Sequence, residues 1–191
     1  MENFVSARDR ILNSALDLFY NNGFTETGIN EILEHSGTFK KSFYIHFSSK
    51  TELGVLYIEQ IEEILLNLCS KILSKHPIFI DFCQAWVNIS KKKISKLYPK
   101  GCPLVNLPVN SKEIQERNQA AFENLKKPFV KYFINNYKMS ENDSRVISEE
   151  ILMLYEGAMN SFKLDPNPKY FDYMENFLKI IDTKLENYKR L

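Results

Sequence analysis

Gly37-Thr-Phe-Lys-Lys-Ser-Phe-Tyr-Ile-His-Phe-Ser-Ser-Lys50 holds three lysines and a Tyr-x-His-Phe run, with no acidic residue among them. Its glycine can end one helix, because glycine adopts the left-handed backbone that other residues avoid. Thr38 can then cap the next helix. The stretch predicts a short cationic helix, anchored by aromatic residues, that follows a tight turn. This is the layout of a helix-turn-helix recognition element.

The residues before it complete the unit. Ser6 and Asp9 have capping-box spacing, and Ile11, Leu12, Ala15, Leu16, Leu18 and Phe19 recur at helical intervals as far as Asn22. Gly23 is expected to supply the left-handed residue that ends this helix. Arg8 and Arg10 stand near its start, within reach of a phosphate. A second, shorter helix follows with Thr27 as its expected cap, Ile29, Ile32 and Leu33 inward, and Gly37 at its end. The third is expected from about Phe39 to Phe47, with Phe39, Phe43 and Phe47 assigned to core or support. Two short helices joined by such a turn place the second in a DNA major groove.

Downstream, Ser49-Lys-Thr-Glu52 is another capping box and opens a long helix that His76-Pro77 stops. A helix from Pro77 to about Tyr98 carries Lys91-Lys-Lys93, Lys96 and Lys100. Two readings stand for that run: a solvated helix end, or a secondary nucleic-acid contact. Pro99 to Asn110 is irregular but apolar, as expected of a packed loop. Ser111 to Tyr137 reads as a helix kinked at Pro128, Asp143 to Leu164 as a strongly apolar helix, and Asn167-Pro168 as the start of a last helix reaching Tyr188. The final two carry more apolar surface than one core-facing stripe needs, which suggests pairing with their copies in a second subunit. The expected organisation is all-α: a three-helix DNA-binding head over residues 1–48, and a larger helical domain over residues 49–191 for effector binding and dimerisation.

Composition agrees with a globular α-protein: 191 residues, 44% apolar and 26% charged, with only six glycines and seven prolines. The net charge of +1 means that any DNA-binding face must come from the placement of charge, not its total. Three widely spaced cysteines form neither a disulfide framework nor a metal-ligand pair. No apolar run is long enough to span a bilayer, and the first residues lack the regions of a signal peptide, so a cytoplasmic protein without membrane association is expected. The three histidines have no metal spacing, and neither a Gly-x-Ser-x-Gly nor a phosphate-cradling glycine loop occurs. An enzyme is not expected, nor a metal or other cofactor.

The first fifty-odd residues resemble the TetR family of bacterial transcriptional regulators. The matching positions are an Ile-Leu-x-x-Ala-x-x-Leu-Phe helix, Asn-Gly-Phe, Thr-x-x-Ile-x-x-Ile, and Ser-Gly-x-x-Lys-x-Ser-Phe-Tyr-x-His-Phe-x-Ser-Lys-x-x-Leu. The resemblance implies an all-α homodimer, joined through its last two helices, that binds double-stranded operator DNA and a small-molecule effector. It implies phosphate contact by Thr27 at the second helix. Lys40, Lys41, Ser42 and Ile45 would meet bases and backbone, with Thr38 at the head of the same helix. Tyr44, His46 and Lys50 would reach phosphates. For Tyr44 a core aromatic role stands beside this, and for His46 a packing or capping role. Lys41 replaces a common glycine, and Gly28 a common hydroxyl residue, so the detailed contacts depart from the family pattern.

Gly101-Cys-Pro-Leu-Val-Asn-Leu107 is similar to a Gly-Cys-x-x-x-Asn-Leu element of one TetR branch, some of whose members sense electrophiles or oxidants through the cysteine. Lys100 beside Cys102 would favour the thiolate; a buried structural thiol is the other reading. Cys69 and Cys83 are taken as core. The effector pocket is sought among Phe82, Trp86, Tyr98, Cys102, Phe122, Phe129, Tyr155 and Met159, whose aromatic character leans towards a hydrophobic or planar effector. The resulting expectation is a repressor released from its operator by a small hydrophobic or reactive effector. The alternative is an activator, or a regulator controlled by a protein partner, with Cys102 purely structural.

Overall fold

The computed structural model describes residues 5–107, 111–186 and 188. Pro108-Val-Asn110, the end of the expected irregular segment, lies outside them. The described residues form eight helices and no strands: α1 (Ala7–Asn22), α2 (Ile29–Ser36), α3 (Lys40–His46), α4 (Lys50–Lys75), α5 (Phe79–Leu97), α6 (Lys112–Tyr137), α7 (Glu141–Leu164) and α8 (Lys169–Leu185). The fold is all-α, with an N-terminal helix-turn-helix region and a larger helical region. No helix among the described residues is long and apolar enough to cross a membrane.

Two compact units are present. The first takes in Met1–Ile61 and Pro103–Ala121, so it runs past residue 48 into α4 and recruits the start of α6. Its core holds Ile11, Ala15 and Phe19 from α1, Ile32 from α2, Phe43 from α3, Leu53 and Tyr57 from α4, and Leu104 and Ile114. The Phe19 ring lies 5.0 Å from Phe24 and 6.1 Å from Tyr57, centre to centre. The Tyr57 hydroxyl donates to the Pro103 carbonyl at 3.2 Å, which satisfies it in the core. Three short helices have little apolar surface to share, and these added segments enlarge the core they pack on.

The second unit takes in Glu62–Cys102 and Phe122–Leu191. Aromatic side chains fill it: Phe79, Phe82, Phe129, Phe133 and Phe171 are fully buried. Tyr137 accepts the Phe79 backbone N–H at 2.8 Å, and the Tyr132 hydroxyl donates to the His76 carbonyl at 3.0 Å. Buried phenols thus close the start of α5.

Local signals were accurate where the partners are close in sequence. Ser6 accepts from the Asp9 N–H at 3.1 Å, as a capping residue does. Ser140 does the same for Asp143, so α7 begins at Glu141, before the expected Asp143. Other boundaries moved. Gly28, not Thr27, is the N-cap of α2, and Phe39, not Thr38, that of α3. Gly23 has φ 92° and ψ 151°, a conformation outside the left-handed helical region that glycine reaches most easily. Glu52 reaches back to Ser48, accepting from its N–H at 2.6 Å and its hydroxyl at 2.8 Å, while Ser49 accepts from the Glu52 N–H. These bonds hold the Glu52 carboxyl below its ordinary pKa. α5 starts at Phe79, two residues after Pro77, and α6 continues through Pro128 to Tyr137. α8 ends at Leu185, so Tyr188 lies beyond it.

Candidate nucleic-acid interface

The turn between α2 and α3 is built by main-chain bonds. Gly37 is left-handed at φ 59°, ψ 39°; its N–H donates to Glu34, and the N–H of Thr38 donates to Leu33 at 3.0 Å. Together these close α2 in the manner of a glycine C-cap. The Thr38 hydroxyl is engaged with that of Ser36 at 2.6 Å, so it serves the turn instead of capping α3.

Phe43 and Phe47, one helical turn apart, are buried with their ring centres 5.8 Å from each other. They fix the rotation of α3. Lys40, Lys41, Tyr44, Ile45 and His46 are consequently exposed, and Ser42 is half-buried. The Tyr44 ring meets Phe43 edge-on at 5.2 Å and stays half exposed. Lys40 and Lys41 have no ion-pair partner among the described residues. Arg8 lays its guanidinium over the Phe47 ring at 5.6 Å, and Arg10 comes close to the turn at Gly37. Four exposed cations therefore come from α1 and α3 within the one unit.

Three residues sit otherwise than expected. Thr27 is 0% exposed; its hydroxyl donates to the Gly23 carbonyl at 2.8 Å and is not presented to a ligand. Lys50 turns inward, donating to the carbonyls of Phe24 at 2.9 Å and Thr27 at 3.0 Å. Phe39, assigned to core or support, is 82% exposed. An extended N-cap (φ −110°, ψ 156°) carries it outside the helical register that buries Phe43 and Phe47. A shift of the helix start by one residue was enough to hide this in the sequence.

In the second unit, Phe82, Trp86 and Phe129 pack ring against ring, with centres 5.3 to 5.8 Å apart, and Tyr155 stacks on Trp86 at 4.8 Å. Met159 and Cys102 are buried, Tyr98 and Phe122 half-buried. Beside them is a residue that sequence reasoning missed. The Cys102 thiol hydrogen-bonds the Glu156 carboxyl, and burial outweighs that bond to push the Glu156 pKa up to about 7. Glu156 Oε2 is itself buried without a hydrogen-bond partner. Burial likewise raises Tyr98 and Tyr155 above the ordinary phenol range. The only signal in the sequence was one acid between the apolar Leu154-Tyr155 and Ala158-Met159 pairs.

On α7 and α8 an apolar surface remains uncovered. Met153 is 69% exposed, with Tyr173, Phe177 and Ile180 each more than half exposed. A hollow of about 370 Å³ lies among Met153, Leu154, Phe177, Ile180, Ile181 and Lys184, and a second one adjoins it at Gly157 and Tyr173. No cluster of three metal-ligating side chains occurs among the described residues.

Residues 11–54 match the family model of bacterial regulatory proteins of the tetR family. An uncharacterized HTH-type transcriptional regulator in the lacX 3′ region of Lactococcus lactis subsp. lactis is 30% identical over 127 residues, 64% of each chain. The HTH-type transcriptional regulator LmrA of Bacillus subtilis is 36% identical over 58 residues, 30% of this chain and 31% of its own. The matches thus span less than two thirds of these relatives. Among solved structures, SCO4454, a TetR-family transcriptional regulator from Streptomyces coelicolor, superposes with a TM-score of 0.81 at 19% identity, covering 94% of this chain and 95% of its own. The reduced form of E. coli NemR gives 0.78 at 18% identity, covering 97% and 98%. At these identities the likeness is one of fold.

Proposed function

We propose that this chain is a TetR-family transcriptional regulator that binds operator DNA as a homodimer, acting in the cytoplasm as a repressor and not as an enzyme. One observation carries the reading. Within the stretch that matches the tetR family model, burial of Phe43 and Phe47 turns Lys40, Lys41, Tyr44 and Ile45 outward on a helix without acidic residues. Lysines satisfy phosphate oxygens, and a helix of this size fits the major groove. Thr38 and Ser42 belong to the edge of this face, and His46 to its end.

The uncovered face of α7 and α8 supports dimerisation through those helices, since a symmetric dimer buries the same patch on both subunits. Two heads then meet half-sites about 34–36 Å apart. In the body, the Phe82, Trp86, Phe129, Tyr155 and Met159 cluster, with Tyr98, Phe122 and Cys102, is the place for a hydrophobic or reactive effector. Such an effector releases DNA only by as much as its affinity differs between the two states.

A gel shift with DNA from the region upstream of the gene tests the core of this reading. A shifted band, lost on adding a thiol oxidant and insensitive to it in Cys102→Ser, is the expected result. No shift on any upstream DNA overturns the regulator. A shift indifferent to both oxidant and substitution favours a second reading, in which Cys102 is structural and control comes from a protein partner or through activation. The 2% exposure of Cys102 and the mutual packing of the aromatic rings are the observations on that side.

A further inference from the structure

The proposed DNA face carries more apolar surface than phosphate binding requires. Ile45 lies two residues from each of the buried Phe43 and Phe47, about 200° around the helix from both, and is 67% exposed. Phe39 projects from the other end of the same short helix. Neither side chain can hydrogen-bond, and Phe39 has no ring partner among the described residues. Single exposed apolar residues are ordinary. Here, however, two of them flank Lys40 and Lys41 on α3, within the stretch that matches the tetR family model.

Of the groups that base pairs present in the major groove, only the 5-methyl of thymine is apolar. A Phe or Ile laid against a guanine, cytosine or adenine edge strips water from polar atoms and returns no hydrogen bond. Against thymine it buries a methyl group instead. The two lysines complement the charge of the duplex and hold the helix in the groove at low specificity. Resting on the DNA-binding reading above, we infer that Phe39 and Ile45 read thymine methyl groups, and that each operator half-site is distinguished by thymines facing these two side chains.

The test uses the full-length protein and a random-sequence duplex library to select bound sites. Each thymine of the selected half-site is then replaced in turn by deoxyuridine, which deletes the 5-methyl and keeps every hydrogen-bonding group. Affinity is expected to fall about fourfold per contacted methyl at two or more positions. Phe39→Ala should abolish the sensitivity at one position and Ile45→Ala at another, while both variants unfold at the wild-type temperature. Affinity indifferent to deoxyuridine at every thymine overturns the inference and leaves the DNA-binding function standing. So does sensitivity that persists unchanged in the Phe39→Ala/Ile45→Ala double variant. Failure to select any sequence, or to bind the library at all, overturns the DNA-binding reading and the inference with it.

Discussion

The Nζ of Lys50 donates to the main-chain carbonyl of Phe24 at 2.9 Å and stands 4.5 Å from the centre of the same residue's ring. It also reaches the Thr27 carbonyl at 3.0 Å. The first residue of α4 thereby fastens the loop between α1 and α2. Those carbonyls follow the end of a helix and precede the start of another, where main-chain acceptors lack helical partners. An ammonium with three donors suits them.

Lys50→Met should therefore destabilise the first unit by about 1.5–3 kcal/mol, the range for losing hydrogen bonds to a charged group. Urea unfolding followed by circular dichroism measures it. The salt dependence of DNA binding should be unchanged. A variant of wild-type stability with a shallower salt slope would return Lys50 to the phosphate contact that the family resemblance implied.

Lys40→Ala and Lys41→Ala should do the reverse. Each removes an exposed cation, so stability should stay within about 0.5 kcal/mol of wild type. For each phosphate that a lysine no longer neutralises, the slope of log K against log salt should become shallower by about 0.9. Fluorescence anisotropy titrations between low and moderate salt give that slope.

Gly54 sits inside α4, where alanine would ordinarily favour the helix by about 1 kcal/mol. Here an added Cβ would come within 2.8 Å of the Phe24 ring and 2.9 Å of Ile114 Cδ1. The rigid ring cannot give way as the Ile114 tip can. Gly54→Ala should lower stability by about 1–2 kcal/mol net, seen as a reduced thermal midpoint.

Glu156 sets a pH dependence. Its pKa rises from 4.5 to about 7 on folding, so between these values the folded state binds a proton that the unfolded state has lost. Stability falls with pH wherever the folded state binds more protons. The contribution is complete below about pH 4.5 and is lost as pH rises through about 7, for a total on the order of 3 kcal/mol. Glu156→Gln should flatten this stretch of the curve, most visibly as a gain over wild type at pH 8.

Met153→Glu combined with Phe177→Glu places charge on the uncovered face of α7 and α8. Sedimentation velocity should show a dimer for the wild type and a monomer of unchanged helical content for the variant. Operator affinity should fall with it, since the two half-sites are then met independently.

How far these features were legible depended on where each side chain finds its partner. Ser6 with Asp9, and Phe43 with Phe47, are one turn apart, so helical spacing announced both the cap and the buried face. The exposure of Lys40, Lys41 and Ile45 follows directly from that face. Glu52 misled by a single residue: a long flexible acid can reach Ser48 as readily as Ser49. Phe39 misled for a related reason, because its outward direction depends on whether it is the last extended residue or the first helical one.

The chain's sequence by itself determined an all-α fold, the turn at Gly37, and a cationic third helix without acids, because each rests on backbone preference and on neighbours within a few residues. Only the tertiary structure decided that Lys50 fastens the α1–α2 loop, that Thr27 is buried, that Phe39 faces solvent, and that Glu156 meets Cys102. Each of those outcomes turns on desolvation or on a donor meeting an acceptor brought close by folding. Residue type announces that such a group needs a partner, and packing chooses which one it gets.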